Sequence, residues 1–245
     1  MKKYLTLILI LLFPRGILHF ILRLLGHSIS YNSKIGFSII ITNDLTLCEY
    51  SKIGHFNYIN TYSVNLNRYA SIGHFNIFNG PIEILLQTRA NIYKLNYFTS
   101  GNLRSQGSKL ILGENTGVTA RNHFDLTRSI SFGNNTQLGG ISSQFWTHGY
   151  IHDKNTSERF RVDGEIVIRN NVYIGSGVIV NPGVEITSGV HIGSNSCVSK
   201  SLLKSGMYVS QPLRFIERDY EDVKKSLIEI LEPNLIEKVY EKVLK

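Results

Sequence analysis

The chain has 245 residues, of which 42% are hydrophobic and 11% aromatic, with a formal net charge of +8 and two cysteines. That apolar and aromatic content excludes an intrinsically disordered chain, and Cys48 and Cys197 are too few for a disulfide framework, so a reducing compartment is the simpler setting. The positive charge points to anionic partners such as cofactor phosphates or acidic lipid headgroups; no recognition motif accompanies it, and no nucleic acid is expected.

Residues 1–25 open with Lys2 and Lys3, continue as an apolar run to Phe13, break at Pro14-Arg15-Gly16 and resume from Ile17 to Leu25, interrupted by His19 and Arg23. Neither half reaches the roughly 20 apolar residues that span a bilayer, and no small-x-small cleavage site follows. The expectation is an apolar helical segment at a membrane interface, with Arg15 and Arg23 snorkelling toward headgroups, or a cap over the structure that follows; the two are compatible. Either way the chain is placed in the cytoplasm, peripheral on the cytoplasmic face of the membrane.

Residues 26–215 carry a six-residue rhythm. It runs as Ile29, Ile35, Ile41, Leu47, Ile53 and Ile59, shifts by one to Leu66, Ile72, Phe78 and Ile84, weakens through Leu112, Ala120, Leu126, Phe132 and Leu138, and returns from Ile168 to Val198. There Ile168, Ile174, Val180, Ile186, Ile192 and Val198 form one row and Val172, Val178, Val184 and Val190 a second. Within each six, two alternate side chains point inward from a short strand and the rest turn a corner, so three sixes close a triangular coil; the pattern predicts an all-β parallel solenoid. Gly177, Gly183 and Gly189 are expected at one corner in the left-handed conformation. Two departures read as outward loops, Leu85 to Lys109 and Ser142 to Glu165, and function is expected there. After Gly206 the rhythm stops. Val223, Leu227, Ile230 and Leu231 fall at helical spacing and Glu232-Pro233 reads as a second helix start, so residues 216–245 are expected to form short C-terminal helices.

The run from Gly175 to Lys200 resembles the late coils of the hexapeptide-repeat acyltransferases, with the saccharide and xenobiotic O-acetyltransferases nearest in character. Over residues 26–215 the resemblance implies a left-handed parallel β-helix, a homotrimer, and acetyl-CoA as co-substrate with no metal. The stretch Ser143-Gln-Phe-Trp-Thr-His148 is similar to the segment that carries the family's catalytic histidine, which maps to His148; imidazole suits a base working near neutral pH. His123 is a second candidate, lining the acceptor site or pointing outward, with Asp125 as an orienting or acceptor-side carboxylate. Trp146 and Phe145 either wall the acceptor pocket or anchor the loop. His152 is a weaker alternative to His148, and His55 and His74, which follow Ile-Gly pairs, read as solvated repeat residues. Lys200 matches the lysine that closes these repeats; Lys204 and Arg214 stand near it to meet cofactor phosphates, and Gly177 and Ser194 allow close backbone approach. Gln211 to Arg218 resembles the family's exit segment, with Leu213 and Arg214 in place of the usual pair.

The implied activity is transfer of acetyl from acetyl-CoA to a saccharide hydroxyl in surface-polysaccharide biosynthesis, on an acceptor that is soluble or lipid-linked. Two other readings stay open. One is a non-catalytic β-helix scaffold; the other is a zinc enzyme of the γ-class carbonic anhydrase kind, for which His123, His148 and His152 are the available set.

Overall fold

The computed structural model describes residues 2–13, 15–101, 107–210, 225, 227–230 and 239–242. It divides into two units, Met1–Ser210 and Gln211–Lys245.

The first unit is a parallel β-solenoid. Its coil strands form one sheet of fourteen and one of nine, with a separate two-stranded hairpin, and every pairing between coils is parallel. The larger sheet covers two faces because Ile39–Leu47 and Tyr58–Leu66 run unbroken across both. On the third face Ile35, Ile53, Ile72, Ile92, Val118, Leu138, Ile174 and Ile192 stand in register, one per coil. All eight are buried. The intervals between them are 18, 19, 20, 26, 20, 36 and 18 residues, so extra chain is accommodated at corners without disturbing the inward rows.

Most of the expected inward rows are inward, with particular corrections. Ile41 is not buried and Ile40 is, because the long strand Ile39–Leu47 shifts the alternation by one. Gly177, Gly183 and Gly189 have φ of 66°, 76° and 73°, as expected for left-handed turns, but they lie six residues apart in a three-sided coil and therefore occupy successive corners rather than one. Leu85 to Lys109 is mostly a regular coil, with strands Glu83–Leu86, Asn91–Lys94 and Tyr97–Thr99 paired above and below; added residues at the corners had shifted the hydrophobic phase. Residues 102–106 of that stretch lie outside those described.

Two internal ladders run along the solenoid. Phe78, Phe98, Phe124 and Phe145 stack face to face at successive centroid distances of 4.4, 4.5 and 4.8 Å. At a corner beside them, buried Asn57, Asn76, Asn96 and Asn122 form a polar ladder. Each Oδ1 accepts the backbone N–H and the side-chain amide of the next asparagine, at 2.9–3.2 Å, and Asn122 Oδ1 accepts the N–H of Ser143 at 2.9 Å. Buried amides are tolerated because their hydrogen bonds are made, each worth a net contribution of about 1 kcal/mol.

The N-terminal helices α1 (Lys2–Leu12) and α2 (Arg15–Leu24) pack on the first coil. Leu9, Ile10, Leu18 and Leu22 join the core. His27 is buried beneath them. Its Nδ1 accepts the N–H of Leu45 at 3.2 Å, so Nε2 carries the proton and meets Thr6 Oγ1 at 2.8 Å, which donates to the Lys2 carbonyl at 3.0 Å. Burial above all, and the Lys2 ammonium, lower the His27 pKa to about 4 against the smaller opposing pull of Asp44. The other helix faces expose large apolar side chains, among them Tyr4, Ile8, Leu12, Ile17, Phe20 and Leu24. No described helix is long and apolar enough to cross a membrane.

In the second unit, where helices were expected, the described stretches Leu227–Ile230 and Val239–Lys242 pair as antiparallel strands, with Leu227 opposite Lys242. Leu227, Ile228, Ile230, Val239 and Tyr240 are apolar and mostly β-branched or aromatic, a composition that suits paired strands and competes with the sparse helical spacing. Val223 and Leu231 lie outside the described residues, as does the exit segment from Gln211 to Arg218.

Candidate active site

His148 follows a coil strand, Gln144–Phe145, and begins an antiparallel hairpin, His148–His152 with Arg159–Asp163, that leaves the prism and returns at Ile166. The expected loop from Ser142 therefore starts later: Ser142 to Thr147 belong to the coil. At the hairpin base His148 is registered opposite Asp163, whose carboxylate is held by Arg128 Nε at 3.2 Å and Arg161 Nε at 2.7 Å.

The coil beneath places Asp125 against His148. Phe124 pairs with Phe145 across the two coils, which brings the next corner of each together. His148 Nδ1 lies 2.7 Å from Asp125 Oδ2. The same oxygen accepts the Thr147 N–H at 2.9 Å, and Thr147 Oγ1 is within 2.9 Å of it. Asp125 Oδ1 accepts the Thr127 hydroxyl at 2.7 Å and the Thr127 N–H at 3.2 Å. Thr127 Oγ1 in turn accepts the Gly101 N–H at 3.0 Å.

Asp125 is 3% exposed. Burial pushes its carboxyl pKa up, but hydrogen bonds from Thr127, His148 and Thr147, with the His148 charge, outweigh burial and hold it below the ordinary carboxylate value. An ionised carboxylate can only accept, so the proton between Asp125 and His148 sits on Nδ1 and leaves Nε2 as the acceptor nitrogen. The His148 side chain is 24% exposed, enough to meet a substrate. Buried carboxylate, oriented imidazole and a partly exposed His148 side chain are the parts of a general-base pair.

Other expected site residues are placed differently. His123 stacks on Trp146 at 4.9 Å and meets the Tyr97 ring edge-on at 5.2 Å. Burial lowers its pKa, against the raising influence of Asp125, which favours neutral imidazole. Trp146 is partly exposed, its Nε1 donating to Gln144 Oε1 at 3.0 Å. Phe145 is fully buried in the aromatic ladder, so it is a core residue and not a pocket wall. Asp125 has both oxygens occupied from within the chain, which makes it the partner of His148 and not a ligand for an acceptor. Lys200, Lys204 and Ser194 are exposed on the last coils, and no contact among the described residues joins them to His148. Gly177 stands at a left-handed corner with φ of 66°, packed against the Asn195 side chain of the next coil. Arg214 lies outside the described residues. Among the described residues no group of three or more His, Cys, Asp or Glu comes together to hold a metal, and His152 lies out on the hairpin opposite Arg159.

Thr127 and Thr147 were missed by sequence reasoning. Thr127 had a local signal: Asp125 accepts the N–H two residues on, the turn that an Asp-x-Thr sequence favours. Because its pKa is depressed on folding, Asp125 contributes stability above its ordinary value near 3.8, and that contribution is lost as pH falls through the lower folded value. Replacing Asp125 by Asn is expected to cost about 1.5–3 kcal/mol at neutral pH, the range for hydrogen bonds to a charged group. Urea unfolding measured across pH 2–7 should show the gap between Asp125→Asn and wild type closing below pH 3.8.

Comparison with known proteins follows the repeat. Residues 165–200 match the family described as bacterial transferase hexapeptide (six repeats). No curated protein matches the chain. Among solved structures, the chain is similar to the polySia-specific acetyltransferase NeuO, at 20% identity over 78% of this chain and 80% of that one, with a TM-score of 0.46. It is similar to a hexapeptide-repeat-containing acetyltransferase from Vibrio cholerae, at 20% identity over 55% and 69% with a TM-score of 0.40. A maltose O-acetyltransferase from Clostridium difficile 630 matches at 23% identity over 57% and 67%, with a TM-score of 0.37. The part of this β-solenoid that matches a known family is its late coils, residues 165–200, which are similar to the bacterial transferase hexapeptide repeat.

Proposed function

We propose that the chain is a CoA-dependent acetyltransferase that moves acetyl from acetyl-CoA to a saccharide hydroxyl during surface-polysaccharide synthesis. The observation that carries this reading is the 2.7 Å contact between His148 Nδ1 and the saturated Asp125 carboxylate, on a chain whose late coils are transferase repeats. His148 Nε2 removes the hydroxyl proton as that oxygen attacks the thioester carbonyl carbon. The carbon–sulfur bond then breaks, and the imidazolium returns its proton to the departing sulfur, so no acyl-enzyme forms. Asp125 is a positioning residue that fixes the tautomer and steadies the imidazolium. His123 and Trp146 lie on the acceptor side.

In this reading three copies assemble, a mass that sedimentation measures, and acetyl-CoA lies between neighbours with Lys200 and Lys204 near its phosphates. The exposed apolar faces of α1 and α2 rest on the cytoplasmic leaflet near a membrane-made acceptor. Flotation with phosphatidylglycerol vesicles tests the attachment: Ile8→Asp with Phe20→Asp should leave the protein in the pellet, and equal flotation of that variant would contradict it.

The activity itself is read by acceptor-dependent CoA release. His148→Ala should lower turnover by about 10²–10⁴-fold, the usual share of a general base, while acetyl-CoA binding by calorimetry is unchanged. Full turnover in the variant, or no acetyl-CoA binding by either protein, would favour the non-catalytic scaffold. Acetylation of amino sugars but of no hydroxyl acceptor would make it an N-acetyltransferase.

A further inference from the structure

The early coils carry a surface that chemistry at His148 does not use. At one corner the residues with positive φ are Tyr50, Tyr69 and Arg89, followed along the solenoid by Asn115, Asn135, Asn171 and Gly189. At the next corner they are Phe56, Phe75 and Leu95, followed by Arg121, Ser142, Gly177 and Asn195. Late coils thus mostly use Asn and Gly, which tolerate this conformation, whereas early coils use bulky side chains that disfavour it. Burial does not compensate: Phe56 is 58% exposed, Phe75 51% and Tyr69 46%. Strained, exposed aromatics in two ordered columns call for a function outside the fold itself.

Between the columns lies a concave stretch of the nine-stranded sheet. Lys34, Lys52, Ser71 and Asn91 form its outward row, in register from coil to coil. Beside them the floor is bare backbone, since a Cβ on Gly54 or Gly73 would lie 2.3 or 1.9 Å from the carbonyl oxygen of the next coil. Tyr50 and Tyr69 stack at 5.0 Å on one rim and Phe56 and Phe75 at 5.2 Å on the other. His55 and His74 stack at 5.6 Å; each Nδ1 accepts a backbone N–H, at 3.1 and 3.0 Å, which leaves Nε2–H as a donor. Among the described residues no Asp or Glu lines this trough, and Lys34, Lys52 and Arg89 take part in no ion pair.

We propose that this trough binds an acidic saccharide chain lying along the solenoid axis. Aromatic rims present flat faces to sugar rings, the lysines and Arg89 meet carboxylates, and the coil-to-coil repeat offers the same groups at regular intervals, as a repeating polymer requires. The inference deepens the saccharide reading by naming the acceptor as anionic and by separating the site that holds the chain from the site that acetylates it.

Fluorescence anisotropy with labelled hexasaccharides of oligogalacturonate, hyaluronan and oligosialic acid tests the proposal, with maltohexaose as the neutral control. At least one acidic probe should bind, more weakly at higher salt, and maltohexaose should not. Lys52→Gln and Tyr69→Asn should each weaken binding at least tenfold. Tyr69→Asn should stay folded, because Asn occupies the same corner in later coils, and circular dichroism checks this. His148→Ala should bind like wild type, so a failure of the catalytic reading leaves this result standing. No binding by any acidic probe, or equal binding by both trough variants, would overturn the proposal. So would binding of a single-stranded oligonucleotide or an anionic vesicle at the trough in place of every glycan.

Discussion

A buried carboxylate is the interaction on which the candidate chemistry depends. Asp125 sits one coil below His148, twenty-three residues earlier in the chain, and accepts from Thr127, Thr147 and His148. Its ionisation is tolerable only because these donors replace water, and they in turn are fixed because each lies on a hydrogen-bonded corner of the solenoid. The parallel pairing of Phe124 with Phe145 sets that geometry. The same stacking that closes the core therefore orients the imidazole, and a coil slipped by one position would separate the pair.

The solenoid also divides its labour. Its late coils, residues 165–200, are the most regular in sequence, with small or amide residues at the corners. Its early coils bear longer intervals, an asparagine ladder and bulky corner residues in a conformation they resist. The irregular corners hold exposed aromatic and basic groups, and a long hairpin that starts at His148 holds the candidate base.

How much of this was legible follows from the same physics. The rows from Ile168 to Val198 were read correctly because each strand is two or three residues long and each corner is an Asn or Gly in the left-handed conformation. The row failed at Ile41, where a nine-residue strand carries alternation through a corner without the usual break. His148 was legible through its resemblance to a known segment. Its tie to Asp125 was not legible, and Asp125 was expected beside His123 or the acceptor instead, since register between coils depends on corner lengths that the hydrophobic pattern does not count. The buried asparagines gave no warning: Asn57, Asn76, Asn96 and Asn122 each read as an ordinary polar turn residue until the coils stack. Tyr69 and Phe75 likewise look like core candidates, and only the backbone shows them at strained outer corners.

The central claim is that Asp125 holds the His148 proton on Nδ1 and so frees Nε2 to act as a base. The direct measurement is the tautomeric state of His148 in protein labelled with 15N-histidine, read from long-range 1H–15N correlations and assigned with His148→Ala. The account predicts that at neutral pH the neutral ring of His148 has its proton on Nδ1 and a bare Nε2. A ring protonated mainly on Nε2 would leave Nδ1 facing the carboxylate without a hydrogen and would contradict it.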